Sequence, residues 1–309
     1  MATGTGLPER VRITEVGPRD GFQMEQQQIP TALKVELIER LAAAGVDEIE
    51  AVSFVHPRVI PQMADAGEVL RRVERRPGVR YTALVPNLRG AERALDAGAD
   101  ALRLVVCCTE TYNQTNVGLS IDESLELFGE IIALAEGGQV QVSVILAVAF
   151  GCPFEGTVPA ARVLELARRF IDLGSRELGV ADSAGLGQPL QVGSLIGQLR
   201  AQADTPLWLH LHDTRGLGLA NALAGLEAGV ARFDTSFGGL GGCPVMAGAS
   251  GNIATEDFSY MCREMGLETG VDLDCVRQVS RRMEKFLGRE LPSRILAAGT
   301  KEELYERNR

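Results

Sequence analysis

Leu41-Ala42-Ala43-Ala44-Gly45-Val46-Asp47-Glu48-Ile49-Glu50 reads as the end of one helix, a glycine, and the start of an apolar strand. Glycine just past a helix end can take the left-handed conformation that closes the last turn. The residues after it have the profile of a strand buried in a parallel sheet. The plan returns at Ala94-Leu95-Asp96-Ala97-Gly98-Ala99-Asp100-Ala101-Leu102-Arg103, at Phe170-Ile171-Asp172-Leu173-Gly174-Ser175-Arg176-Glu177-Leu178-Gly179 and at Leu226-Glu227-Ala228-Gly229-Val230-Ala231-Arg232-Phe233-Asp234. Further apolar strands are expected near 12–17, 79–85, 140–148 and 206–212. Helical patterns near 31–44, 61–76, 89–97, 121–135, 160–173, 189–202 and 216–228 separate them.

Eight strands therefore alternate with helices, and no antiparallel hairpin signal interrupts them. This pattern gives an α/β fold with a parallel sheet. Eight units in this length favour a closed (β/α)8 TIM barrel over a doubly wound sheet, since such barrels commonly reach about 250 residues. We expect a single catalytic domain over 1–309, with the barrel at 11–236. Residues 237–309 would hold a glycine-rich loop, a metal-ligand segment and extra C-terminal helices packed on the barrel. Thr255 and Asp272 are the expected N-caps of two of those helices.

In barrels of this kind chemistry sits at the C-terminal strand ends. Strand one runs out through Glu15-Val16-Gly17-Pro18-Arg19-Asp20-Gly21, strand two through Glu50 and Ser53, and strand six through Asp182 and Ser183. Strand seven, Trp208-Leu209-His210-Leu211-His212-Asp213-Thr214, carries two of the three histidines one residue apart. Alternation along a strand puts His210 and His212 on one face. Alone, the pair reads equally as two satisfied core histidines or as half of a metal site. With Asp20 and Asn252 on the same rim, the donors become two imidazoles and two oxygens. That set suits an octahedral Mg²⁺ or Mn²⁺, with zinc the runner-up. Arg19 would supply fixed positive charge to a developing oxyanion, or else form a local salt bridge with Asp20. Cys243 lies in Gly238-Gly239-Leu240-Gly241-Gly242-Cys243-Pro244. It reads as a proton donor on a mobile loop, or as an incidental small residue in a turn.

Composition narrows the partners. The chain has 309 residues, 45% of them apolar, and a net charge of −10. That charge, with no basic patch interleaved with aromatics, argues against nucleic acid. The run Arg71-Arg72-Val73-Glu74-Arg75-Arg76 reads as a solvated face near a helix end. No stretch approaches the roughly 20 apolar residues of a membrane helix, and the N-terminus lacks a signal-peptide layout. The six cysteines include no C-x-x-C pair, so neither a zinc knuckle nor a disulfide framework is indicated. A cytoplasmic location and a homodimer built on the helical tail are the expectations.

Seven motifs together resemble the 3-hydroxy-3-methylglutaryl-CoA lyase family of the DRE-TIM metallolyases, over about 11–287. They are Val16-Gly17-Pro18-Arg19-Asp20-Gly21, Val52-Ser53-Phe54-Val55, Pro86-Asn87-Leu88, Phe150-Gly151-Cys152-Pro153-Phe154-Glu155-Gly156, His210-Leu211-His212-Asp213-Thr214, Gly239-Leu240-Gly241-Gly242-Cys243-Pro244 and Gly248-Ala249-Ser250-Gly251-Asn252-Ile253-Ala254-Thr255-Glu256-Asp257. The last two are specific to this lyase branch. The resemblance implies a divalent metal held by Asp20, His210, His212 and Asn252, with Asp20 and His210 serving catalysis as well. It implies that Arg19 steadies a thioester enolate and Cys243 acts as general acid. Glu50 and Asp182 match acidic active-site positions. The implied reaction is retro-Claisen cleavage of a 3-hydroxyacyl-CoA to acetyl-CoA and a keto acid.

This chain departs from that pattern in places. The family's strand-five Arg-x-Tyr is replaced by Ser143 and Ile145, and its lysine after Arg-Asp-Gly by Gln26. The strand-six segment reads Ala181-Asp182-Ser183-Ala184-Gly185 where Gly-Asp-Thr-x-Gly is usual. Losing a cation and a phenol should reshape the acyl pocket, and isoleucine favours a more apolar substituent. A citramalyl-CoA or longer 3-alkyl substrate, a condensing synthase and a non-catalytic CoA- or metal-binding barrel are the alternatives.

Overall fold

Eight parallel strands close in sequence order, each hydrogen-bonded to the next and β8 to β1. They are β1 (Arg12–Glu15), β2 (Glu48–Ser53), β3 (Arg80–Leu84), β4 (Ala101–Cys107), β5 (Gln141–Ala147), β6 (Leu178–Asp182), β7 (Leu207–Leu211) and β8 (Arg232–Thr235). This computed structural model describes residues 6–136, 140–242 and 251–308. Helices α1 (Thr31–Ala43), α2 (Ala66–Arg72), α3 (Leu88–Asp96), α4 (Glu110–Asn116), α5 (Ile121–Glu136), α6 (Ala160–Asp172), α7 (Pro189–Gln202) and α8 (Gly218–Glu227) form the connections. Helices α9 (Thr255–Glu264), α10 (Leu273–Leu287), α11 (Arg294–Ala298) and α12 (Lys301–Arg307) come after the barrel.

The repeat that announced the fold works as its chemistry requires. Gly45, Gly98, Gly174 and Gly229 all take φ between +82° and +104°, so each helix ends on a residue that turns the chain back toward the sheet. Outward strand residues such as Leu102, Leu104 and Val106 are buried against the helices. In α10 the buried residues Val276, Val279, Ser280 and Met283 recur at helical spacing.

The structure changes three local expectations. Asp272 caps α10, accepting from the amides of Asp274 and Cys275 at 3.0 Å, but Thr255 caps nothing. Thr255 is the first residue of α9, and its hydroxyl donates to Glu15 Oε2 at 2.7 Å instead. The expected helix at 61–76 is a 3₁₀ turn at Pro61–Met63 followed by α2. Helix α4 has no apolar periodicity to announce it.

The lumen is unusual for such a barrel, where branched apolar side chains usually dominate. At its N-terminal end Glu48 accepts from Arg80, Arg103 and Arg232. Glu177 accepts from Arg80 at 3.0 Å and from Arg232 at 2.7 Å. The guanidinium carbons of Arg103 and Arg232 lie 4.7 and 5.3 Å from the Trp208 ring centroid, within cation–π range.

Candidate active site

At the C-terminal mouth, β1 passes into a single π-helical turn, Gly17–Gly21. This turn carries Arg19 and Asp20 into the barrel, where both are buried. Arg19 Nε donates to Glu50 Oε1, and Arg19 Nη1 to Asp20 Oδ1 at 2.5 Å. Asp20 Oδ1 also accepts from Gln23 Nε2 at 3.0 Å, and Oδ2 from Asn252 Nδ2 at 2.7 Å. Asn252 comes after β8 and is tied to the end of β7 by a backbone bridge to His212. The glycine run also reaches the site: a Cβ on Gly241 would lie 2.5 Å from Asn252 Nδ2.

On β7 the two imidazoles face each other, Nε2 to Nε2 at 3.1 Å. His210 Nδ1 lies 3.2 Å from Asp234 Oδ2. Burial would raise Asp234, yet Arg103 and the His210 hydrogen bond hold it below the usual carboxylate range. Asp234 is thus an acceptor, which assigns the His210 proton to Nδ1 and leaves Nε2 as a lone pair. Burial, with His210 and Arg19 nearby, drives His212 down to about 3, against the opposing pull of Asp20. His212 is therefore neutral. Asp20 is lowered despite its burial, because Arg19, His210, His212 and Asn252 favour the carboxylate.

This donor set fits a divalent cation. One ligand atom from each of Asp20, His210 and His212 falls within 4.8 Å of the others. Among the described residues the buried Oδ1 of Asn252 has no hydrogen-bond partner, so a carbonyl oxygen stands beside them. Without an ion a neutral His212 can donate its Nε2–H across this contact to His210 Nε2, since its Nδ1 has no partner among the described residues; a bound cation would take the place of that proton.

The structure therefore brings Arg19, Asp20, Glu50, His210, His212 and Asn252 into one cluster. Asp182 stands on the neighbouring strand, but its carboxylate accepts from the Leu186 and Gly187 amides at 2.8 and 2.9 Å and closes the turn after β6. Burial raises its pKa. Cys243 lies outside the described residues. Gln26 is exposed. Ser143 Oγ reaches only the Leu102 carbonyl, at 3.4 Å, while Ile145 packs with Ala181 and Trp208.

Sequence reading gave no role to Arg103, Asp234 or Trp208, which support the cluster from below. A signal existed. Charged residues stand beside apolar ones within the strands at Ile49-Glu50-Ala51, Leu102-Arg103-Leu104 and Phe233-Asp234, and in a barrel the alternate face is the lumen. Arg103 is also the ladder partner of Ser143. The cation missing from strand five thus has a counterpart one strand away.

Comparison with known proteins agrees with this architecture. The HMGL-like family model matches residues 10–283. The mitochondrial hydroxymethylglutaryl-CoA lyase of Gallus gallus is 40% identical over 293 residues, covering 94% of this chain and 98% of that protein. The cytoplasmic 3-hydroxy-3-methylglutaryl-CoA lyase of Mus musculus is 40% identical, covering 95% of this chain and 86% of that one. An HMG-CoA lyase from Acinetobacter baumannii, solved with coenzyme A and 3-methylmalate, superposes with a TM-score of 0.92 at 40% identity, covering 97% and 98% of the two chains. The carboxyl transferase domain of Rhizobium etli pyruvate carboxylase, at 20% identity and a TM-score of 0.68, shares the fold alone. With its family model matched over residues 10–283, the chain belongs to the HMGL-like family.

Proposed function

We propose that this chain is a carbon–carbon lyase that cleaves hydroxymethylglutaryl-CoA, or a close 3-hydroxyacyl-CoA, to acetyl-CoA and a keto acid. The observation that carries the reading is the convergence of Asp20, His210 and His212 beside an Asn252 Oδ1 that has no partner among the described residues, with Arg19 bonded to one member of the set. A divalent cation bound there would acidify the substrate's tertiary hydroxyl. Transfer of that proton to a base at the mouth makes the C3 oxygen a carbonyl, breaks the C2–C3 bond, and leaves the electron pair on the thioester as an enolate. Arg19, kept cationic by Glu50 and Asp20 against the cost of burial, supplies the charge that steadies the enolate oxygen. Protonation at C2 then gives acetyl-CoA, and Cys243 is our candidate donor for that proton. His210 is held in one tautomer by Asp234, and Asp20 is kept ionised by its neighbours. Asp182 acts in this reading by shaping the mouth through its turn.

Mg²⁺ or Mn²⁺ as the ion, a homodimer and a cytoplasmic location complete the reading. A longer 3-alkyl substrate is the second choice, favoured by Ile145 in place of the tyrosine of the family pattern. The test is acetyl-CoA release from hydroxymethylglutaryl-CoA, citramalyl-CoA and 3-alkyl homologues, with Mg²⁺ or Mn²⁺ added. Release from at least one is expected; release from none, with net condensation of acetyl-CoA and a keto acid instead, would mark a synthase.

A further inference from the structure

Two arms descend from the mouth of the barrel. On one, Asp20 is bonded to Arg19, and Arg19 to Glu50 Oε1. On the other, His210 is bonded through Nδ1 to Asp234 Oδ2. Both end on one atom. Arg103 Nη1 donates to Glu50 Oε2 at 2.7 Å and to Asp234 Oδ2 at 3.1 Å. A guanidinium nitrogen carries two protons in a fixed plane, so the two bonds set a fixed angle between the carboxylates.

The other side of Arg103 is held by one ion pair and by a ring. Its Nη2 donates to Glu48 Oε1 at 3.1 Å and its carbon sits over the Trp208 ring, while its Nε has no partner among the described residues. Trp208 Nε1 donates in turn to the same Asp234 oxygen, at 3.1 Å. Arg103 is only 1% exposed, so water does not compete for these bonds. Charge neutralisation alone would not need this geometry, since any cation near Glu50 and Asp234 would serve.

We propose that Arg103 is a positioning residue that fixes Arg19 and His210 relative to one another, coupling the oxyanion-stabilising arm to the metal-binding arm. Glu50 sets where the Arg19 guanidinium lies, Asp234 sets how the His210 ring is turned, and Arg103 makes the two placements one. This rests on the reading given under Proposed function, because the arms have separate tasks only in a metal-dependent cleavage.

The test uses the full chain and two readouts, kcat with KM for acetyl-CoA release and Mn²⁺ affinity measured without substrate. Glu50→Gln should lower kcat and weaken Mn²⁺ binding less than Asp234→Asn does, because it reaches the ion only through Arg19 and Asp20, whereas Asp234 orients a ligand ring directly. Groups that orient a ligand are worth about 10–100-fold in affinity or activity. Arg103→Lys keeps the charge but has one compact ammonium in place of a planar fork. It should fold, and should show both defects, roughly tenfold or more each, with KM nearly unchanged. Arg103→Met leaves three carboxylates facing each other, and failure to fold would not decide the matter, so Arg103→Lys is the decisive variant. A lysine variant with wild-type kcat and Mn²⁺ affinity, or with only one of them lowered, overturns the coupling. If wild type cleaves no thioester, the cleavage reading fails first, and the Mn²⁺ titrations of Arg103→Lys and Asp234→Asn still decide the His210 arm.

Discussion

Glu15 and Glu256 hold the turn that leads into the glycine run. Glu15 Oε1 accepts from the Phe237 amide at 3.0 Å and from the Gly17 amide at 2.8 Å. Glu256 accepts from the Gly238 amide at 2.9 Å. Burial pushes Glu15 up to about 8 and Glu256 to about 7, against the hydrogen bonds that favour their charged forms. Both folded values lie above the ordinary carboxyl value of 4.5. The stability these groups contribute is therefore complete below that value and lost as pH rises through 7 and 8. His212, held down near 3, has the opposite sign: its contribution is present above 6.5 and lost as pH falls. Above pH 6.5 the two carboxyls thus govern. Metal-free protein should lose stability from about pH 4.5 up to about 7 through Glu256 and up to about 8 through Glu15, by up to about 1.4 kcal/mol per pH unit for each carboxyl, partly offset by His212 below 6.5. Glu15→Gln should flatten that slope in denaturant melts run across the window; an unchanged slope would assign the loss to other groups. At this scale the sequence announced the histidine pair, because an i, i+2 repeat of a rare residue stands out. It could not announce what Glu15 does, because backbone amides two hundred residues away leave no mark beside it.

Strand β6 shows how one element makes room for another. The indole of Trp208 on β7 reaches across the lumen because its ladder partner on β6 is Gly179. A Cβ on Gly179 would meet the Trp208 ring at 2.4 Å and Ile145 Cγ1 at 2.8 Å. Gly179→Ala should therefore cost about 1–3 kcal/mol, the usual range for overpacking. It should also shift the ring on which Arg103 rests. Denaturant melts check the first effect, and a folded alanine variant with wild-type stability would show that this wall has slack. The strands were legible because each is a short apolar run after a glycine or a turn. Helix α4, Glu-Thr-Tyr-Asn-Gln-Thr-Asn, was not: only Tyr112 and Asn113 in it are buried, too few to make a period. The 3₁₀ turn before α2 is set by tertiary bonds, since Gln62 Nε2 donates to the Glu25 and Gln27 carbonyls at 2.7 and 2.9 Å. Such long-range anchors override local propensity.

Across the whole molecule the candidate metal site lies on the seam where the barrel closes. Asp20 comes after β1, His210 sits on β7 and His212 directly after it, and Asn252 comes after β8, which pairs with β1 through Arg12–Glu15. The Asn252–Asp20 hydrogen bond already joins residues 232 positions apart. An ion held by the same groups would connect the first strand to the last two, and it would bind only the folded chain, because the unfolded chain has no such convergence. Linkage then makes thermal stability depend on ion concentration, by about 2.7 kcal/mol at one hundred times the dissociation constant. For a chain of this size that is a rise in Tm of about 5 °C. We expect Mn²⁺ or Mg²⁺ to raise the Tm of chelator-treated protein in a saturable way. Asp20→Ala should abolish the rise, because it removes the one charged ligand and the acceptor of the Asn252 bond together. Arg103→Lys should keep the rise but move its midpoint to higher Mn²⁺, because the ligands remain while His210 is less well held. A Tm that ignores the ion in wild type would mean that the facing imidazoles and the Asn252 oxygen beside them serve something other than a cation.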